Sequence, residues 1–242
     1  MLVLATLTFF IAAVVQRLTG MGFALVATPI LVLLLGPHDG VLLVIMGGFV
    51  ISALMLIGGL RLISWRPTLL LLLGGAVAMP LGAWVAAALT DAALLTLVGA
   101  AAICALLVPM LPLRPHPNTG VRGAIPALGA GAVSGFLSVT SGLSGPPLVA
   151  YGTSSRWEHR SFVASIQVIF VAFAAVTLAL RGLPSVQPTS YALFAAALVI
   201  GLVVGIGLDT IVPVRVARIG MFVCAWAGAV SVLARGIIAL LA

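Results

Sequence analysis

The sequence predicts an all-α polytopic membrane protein made of two inverted repeats. Each repeat is a broken, re-entrant helical hairpin followed by three transmembrane helices, giving eight to ten helical segments in all. Three observations carry that prediction. Of 242 residues, 63% are hydrophobic and only 6% charged, against roughly 25% charged in a soluble domain. Apolar runs of about 20 residues recur, each enough to cross ~30 Å of hydrocarbon. Breaks of similar composition recur in both halves at a nearly constant offset. The first observation excludes a soluble enzyme and a disordered chain; with two Cys, it also excludes a disulfide scaffold.

The elements follow in order. Residues 1–15 carry no charge, so the basic start of a signal peptide is missing and the segment is expected to stay as membrane structure. Residues 2–36 are apolar but interrupted by Gln16-Arg17-Leu18-Thr19-Gly20-Met21-Gly22. The flanks, near 15 residues or ~23 Å as helix, are short for a crossing, so the region reads as two short helices meeting at a hinge. Val41–Leu60, Thr68–Leu89 and Ala92–Leu111 are plain spans. Residues 123–155 are a second broken region, interrupted by Val139-Thr140-Ser141-Gly142-Leu143-Ser144-Gly145-Pro146-Pro147. Ser161–Leu180, Thr189–Leu208 and Val216–Ala234 complete the set.

The halves match in register. Thr19-Gly20-Met21-Gly22 aligns with Ser141-Gly142-Leu143-Ser144 at an offset of 122. Arg66-Pro67-Thr68 aligns with Gln187-Pro188-Thr189 at 121, Gly99 with Gly220 at 121, and Cys104 with Cys224 at 120. The polar, Pro-rich stretch Pro112–Gly120 separates them, so the expected organisation is a first repeat over 1–112, a cytoplasmic linker over 113–122 and a second repeat over 123–242. Charge then chooses the topology. Net charge is +7, from eleven Arg and no Lys against three Asp and one Glu. Four plain crossings per half divide the Arg residues outside the hinge six against four, which decides nothing. A returning hairpin plus three crossings puts Arg61, Arg66, Arg114, Arg122, Arg156, Arg160, Arg215 and Arg218 on one side and Arg181 and Arg235 on the other. That asymmetry is what the positive-inside rule expects. Three crossings per half invert the second half and put both termini outside. Inverted repeats with broken helices are a transporter architecture.

The hinges carry the candidate chemistry. Gly permits unusual φ/ψ, and Pro146-Pro147 cannot continue a hydrogen-bond ladder. The freed N–H groups opening the next half-helices form a partial positive charge that binds anions. The candidate substrate-binding residues are Arg17, Thr19, Gly20, Gly22, Ser141, Gly142, Ser144, Gly145 and Gln167. For a single hinge, a tight crossing of small residues is an equal reading; two hinges at matching positions favour a site. Arg17, with Gln16 beside it, either recognises an oxyanion bidentately or snorkels to the headgroups. Gln167, with Ser165 nearby, lines a pathway or, as the plainer reading, bonds a neighbouring helix. Ser52, Thr177 and Ser231 are weaker candidates, since hydroxyls bond their own helix. Asp39, Asp91, Glu158 and Asp209 sit at span ends, away from the depth where coupling acids lie. His38, His116 and His159 are scattered in loops without metal-ligand spacing, so no metal and no cofactor is expected. Cys104 and Cys224 read as packing thiols, and the Trp and Tyr residues as interface or packing groups.

Thr19-Gly20-Met21-Gly22-Phe23-Ala24-Leu25-Val26-Ala27-Thr28-Pro29 resembles the first-repeat signature of the TauE/SafE sulfite exporter family. Ser141-Gly142-Leu143-Ser144-Gly145-Pro146-Pro147-Leu148-Val149-Ala150-Tyr151 resembles its second. The likeness spans the chain in length, spacing and loop placement. It departs where many members carry a Gly-Gly-Gly run and this chain has Phe23-Ala24 or Ser144-Gly145-Pro146. The resemblance implies a bacterial inner-membrane carrier for sulfite, an organosulfonate or a related sulfur oxyanion.

The expected function is therefore secondary transport of a small anion by alternating access around the two hinges. The alternatives are an intramembrane enzyme with a Ser141 or Ser144 nucleophile, which lacks a base at that depth, and a passive anion pore. The expected partners are a small anionic substrate, the lipid bilayer and, as an option, a second copy in a homodimer, but no nucleic acid.

Overall fold

The computed structural model describes residues 1–108, 120–208 and 211–241, and every regular element among them is helical. The first half holds α1 (Leu2–Thr19), α2 (Phe23–Leu35), α3 (Pro37–Leu56), α4 (Trp65–Ala88) and α5 (Asp91–Leu107). The second holds α6 (Gly120–Ser141), α7 (Gly145–Ser154), α8 (His159–Arg181), α9 (Pro188–Leu208) and α10 (Val214–Leu241). Seven of the ten are long and apolar enough to cross a membrane; α2, α5 and α7 are shorter. The chain is a multi-pass membrane protein. The expected linker lies outside the described residues as far as 119, and residues 120–122 already belong to α6. Asp209, Arg114 and His116 also lie outside the described residues.

Both breaks fall where the Gly-rich runs put them, but the flanking helices are unequal rather than near 15 residues each. The entry helices α1 and α6 have 18 and 22 residues; the returning α2 and α7 have 13 and 10. α1 lacks a breaker until the left-handed Gly20 ends it. Pro126 lies inside α6, in its second turn, where its missing N–H removes one interior bond, and the helix continues past it to Ser141. Between α3 and α4 the chain makes a short 3-10 turn, Leu60–Leu62, so α3 stops before the expected Leu60.

Contacts fix the helix directions. His38 at the start of α3 meets Arg181 at the end of α8, and Gly59, just past α3, meets Ala164. So α3 and α8 are antiparallel. Gly99 packs on Leu233 and Gly236 on Thr96, so α5 and α10 are antiparallel too. Phe9 stacks on Phe194 and Arg17 lies against Gly205, so α1 runs parallel to α9. Gly74 packs on Leu128 and Gly82 on Phe136, so α4 runs parallel to α6.

These directions define two faces. α8 ends beside the start of α3; α9 begins there, and α1, parallel to α9, begins there as well. α2 ends at Leu35, immediately before α3. The α1–α2 hairpin thus leaves and returns at one face, the terminal face, where α10 also ends. The Ser64 N–H, before α4, donates to Ser165 Oγ near the start of α8. α6, parallel to α4, starts at that opposite face, and α7 returns to it. This is the junction face, where α5 ends and α6 begins.

Close packing of α4 on α6 depends on glycine. A Cβ at Gly131 would collide with the backbone of Leu71, whereas one at Gly129 would meet nothing within 4 Å. Small residues let membrane helices approach in this way. Gly131→Leu is therefore expected to destabilise the protein by about 1–3 kcal/mol through overpacking, while Gly129→Leu leaves it unchanged. Thermal unfolding in one detergent checks the pair.

Glu158 caps the junction-face end of α8. Its carboxylate accepts from the Ser161 and Arg160 N–H groups at 2.7 and 2.9 Å. Those bonds, that of Ser161 foremost, hold it below the ordinary carboxyl range.

Candidate functional site

Each hinge is built on one left-handed glycine. Gly20 has φ +83 and closes α1, its N–H donating to Gln16 O at 2.7 Å. Gly142 has φ +73, and its N–H donates to Ser138 O at 3.0 Å. L-residues with a Cβ pay a steric cost there that glycine avoids. The two lie 122 residues apart.

Polar side chains then hold the exposed backbone of the hinges. Gln16 is buried, and its Oε1 accepts from the Phe23 N–H at 2.9 Å, one of the first-turn donors of α2. Its Nε2 donates to Gly20 O at 3.4 Å, and Gln167 Nε2, reaching across from α8, donates to the same oxygen at 3.0 Å. In the second hinge the Ser134 hydroxyl donates to Ser144 O. Irregular backbone at membrane depth needs this internal satisfaction.

The two hinges border one cavity of about 460 Å³. Thr19, Gly142, Ser144 and Gly145 of the candidate residues lie in its wall. Gln16 and Ser138 join them, each four positions before its left-handed glycine, as does Ser52 from α3. Arg17, Gly20, Gly22, Ser141 and Gln167 are not wall residues. Arg17 is half-buried with its Cβ against Gly205 of α9. Gly20 and Gln167 act on the hinge from behind, and a Cβ on Gly22 would collide with Val15 and Thr19. Ser141 Oγ donates to Leu137 O at 2.9 Å within its own helix, as Thr19 Oγ1 does to Val15 O at 2.8 Å.

Signals for the residues not chosen were present in the sequence. Gln16 and Ser138 share the hinge offset of 122, and Ser52 is a polar residue inside an apolar span. His159, read as a loop residue, stands with Thr153 at the exposed rim of the cavity. Both residues belong to the junction face, so the cavity opens there. At the terminal face, Arg181 donates through Nη1 to Val139 O at 2.6 Å and lies 3.0 Å from His38 Nδ1. The Ser185 N–H donates to Asp39 at 2.8 Å, and Arg235 donates to Leu33 O at 2.9 Å. The helix ends are tied together on that side.

The wall is largely apolar, and His159 is its only titratable side chain among the described residues. Apart from His159 at the rim, its donors for an anion are therefore neutral. Ala24 and Leu25 sit in the wall within the first turn of α2, where N–H groups have no carbonyl four residues back. In α7 the pair Pro146-Pro147 removes two N–H groups, leaving that of Gly145, so the two half-helix starts are unequal donors. Beside the second hinge Thr28 Oγ1 is buried without a hydrogen-bond partner among the described residues, facing Gly142. No group of three His, Cys, Asp or Glu side chains able to hold a metal gathers among the described residues.

A family model described as Sulfite exporter TauE/SafE matches residues 5–232. No curated protein and no solved structure matches the chain.

Proposed function

The chain belongs to the TauE/SafE sulfite exporter family, a family of membrane transporters, and we propose that it is a secondary carrier moving a small anion by alternating access around the two hinges. The substrate is sulfite, an organosulfonate or a related sulfur oxyanion. The observation that carries this reading is the cavity that both hinges border, open at one face and tied shut at the other. Broken helices presenting N-terminal N–H groups suit an anion without a permanent countercharge. Such a site releases its ligand more readily than one holding a buried arginine, which a carrier requires. The antiparallel run of α3 against α8 and of α5 against α10 supports reading the halves as inverted repeats. Calorimetry on purified protein tests the substrate class. Sulfite or methanesulfonate is expected to bind, and choline and glucose are not. Binding of a neutral or cationic solute at the hinges, with no oxyanion bound, would overturn it.

Orientation follows from charge. We place the junction face in the cytoplasm of a bacterial inner-membrane protein, with both termini outside, because that arrangement collects eight Arg inside. Pro117→Cys in a cysteine-free background is expected to resist an impermeant maleimide in intact cells and to react in inside-out vesicles. Reaction in intact cells would reverse the orientation.

A further inference from the structure

At the terminal face, Arg181 caps the end of the re-entrant α6. Val139 O is three residues before Gly142 and belongs to the last-turn carbonyls that a helix leaves unpaired, the negative end of its dipole. The same guanidinium lies 3.0 Å from His38 Nδ1. An arginine only donates, so the imidazole nitrogen accepts. One side chain therefore joins the end of α8, the start of α3 and the tip of α6.

The sequence holds a second set at the repeat-related positions. Arg61 precedes Arg181 by 120 residues, and His38 precedes His159 by 121. Arg61 follows α3 as Arg181 ends α8, and His159 opens α8 as His38 opens α3. The second set lies at the junction face, where the cavity is open. Arg61 is exposed on its 3-10 turn, and His159 is exposed at the cavity rim. The same pair of residue types is thus engaged at the closed face and apart at the open one.

We propose that Arg61 and His159 form the latch that closes the junction face in the opposite state, as Arg181 and His38 close the terminal face in this one. Arg61 then caps the last-turn carbonyls of α1 while Arg181 releases those of α6. The inference rests on the alternating-access reading above. It makes the two arginines positioning residues that set the balance between states without touching substrate.

The test reads that balance from a cysteine in the cavity. Gly48 is a wall residue where a Cβ would meet nothing within 4 Å, so Gly48→Cys in a Cys104→Ala/Cys224→Ala background fits without a clash and reports access to the cavity. Its labelling by an impermeant thiol reagent is measured from each side of the membrane. Arg181→Ala is expected to raise labelling from the terminal side about tenfold, the worth of one charge-assisted hydrogen bond. Arg61→Ala is expected to lower it, and the double variant to return it toward the parent ratio. Labelling from one side only in every variant would overturn alternating access itself. Labelling from both sides with Arg61→Ala shifting the ratio upward, or not at all, would overturn the latch and leave alternating access standing. A second measurement leaves Arg181 in place. Arg61→Cys with His159→Cys, in the same Cys104→Ala/Cys224→Ala background, is expected to cross-link with a short bis-maleimide. Absence of that cross-link, in protein that binds the anion, would also overturn the latch.

Discussion

Gly142→Leu is expected to abolish binding of the oxyanion, and Gly142→Ala to lower stability by roughly 1–2 kcal/mol. The residue has φ +73, where a Cβ is strained in free and bound protein alike. A Cβ alone fits: its nearest neighbours are Val44 at 3.5 Å, then Ile45 and Thr28 at 3.7 Å. The alanine therefore reports strain, and the leucine adds bulk in the cavity wall. Gly20→Leu is expected to abolish binding by a different route. Its Cβ would meet Val163 at 3.3 Å, behind the hinge, so the side chain displaces the hinge rather than filling the ligand's space. Calorimetry on folded, monodisperse protein checks the two leucine variants, and thermal unfolding checks the alanine. Tight binding by Gly142→Leu would remove the second hinge from the site.

The next largest effect belongs to the glutamines. Gln16→Leu leaves the Phe23 N–H without its acceptor and takes one donor from Gly20 O; Gln167→Leu takes the other. An unsatisfied buried polar group costs about 1–3 kcal/mol. Each variant is expected to lower thermal stability, and Gln16→Leu to weaken binding at least tenfold, because Gln16 also lies in the cavity wall. Arg17→Ala is expected to leave affinity unchanged, since the base of its side chain packs on Gly205 of α9 and the residue is outside the cavity wall. A tenfold loss in Arg17→Ala would return the arginine to the list of ligands.

The contrast between Gln16 and Arg17 shows what the sequence reveals and what it withholds. Both residues are visibly polar in an apolar run, so their depth beside the first hinge is readable. Adjacent helical residues point about 100° apart, and the helices here are apolar nearly all round. No stripe marks which azimuth faces the cavity. The hinges at Gly20 and Gly142 were readable because left-handed backbone and proline leave a compositional mark that side-chain direction does not. The lengths of α1 and α6 differ from expectation because Gln16–Thr19 and Val139–Ser141 count with the breaks by composition, yet they continue the helices to Thr19 and Ser141. Arginine placement favours the returning topology, because loop charge is selected against one side of the bilayer. Ser141 was chosen for its place at the hinge, but its hydroxyl donates to its own helix, a competition that sequence position alone cannot decide.

The central claim is that the cavity between the hinges opens alternately to the two faces. Counterflow in proteoliposomes tests it most directly. Vesicles are loaded with unlabelled sulfite, or with methanesulfonate if that is the anion that binds, and diluted into a trace of the labelled anion. A carrier exchanges one for the other, so labelled anion is expected to rise inside above its equilibrium level and then decline, with Gly142→Leu showing neither phase. A simple approach to equilibrium without overshoot, in protein that binds the anion, would contradict alternating access and describe a passive pore.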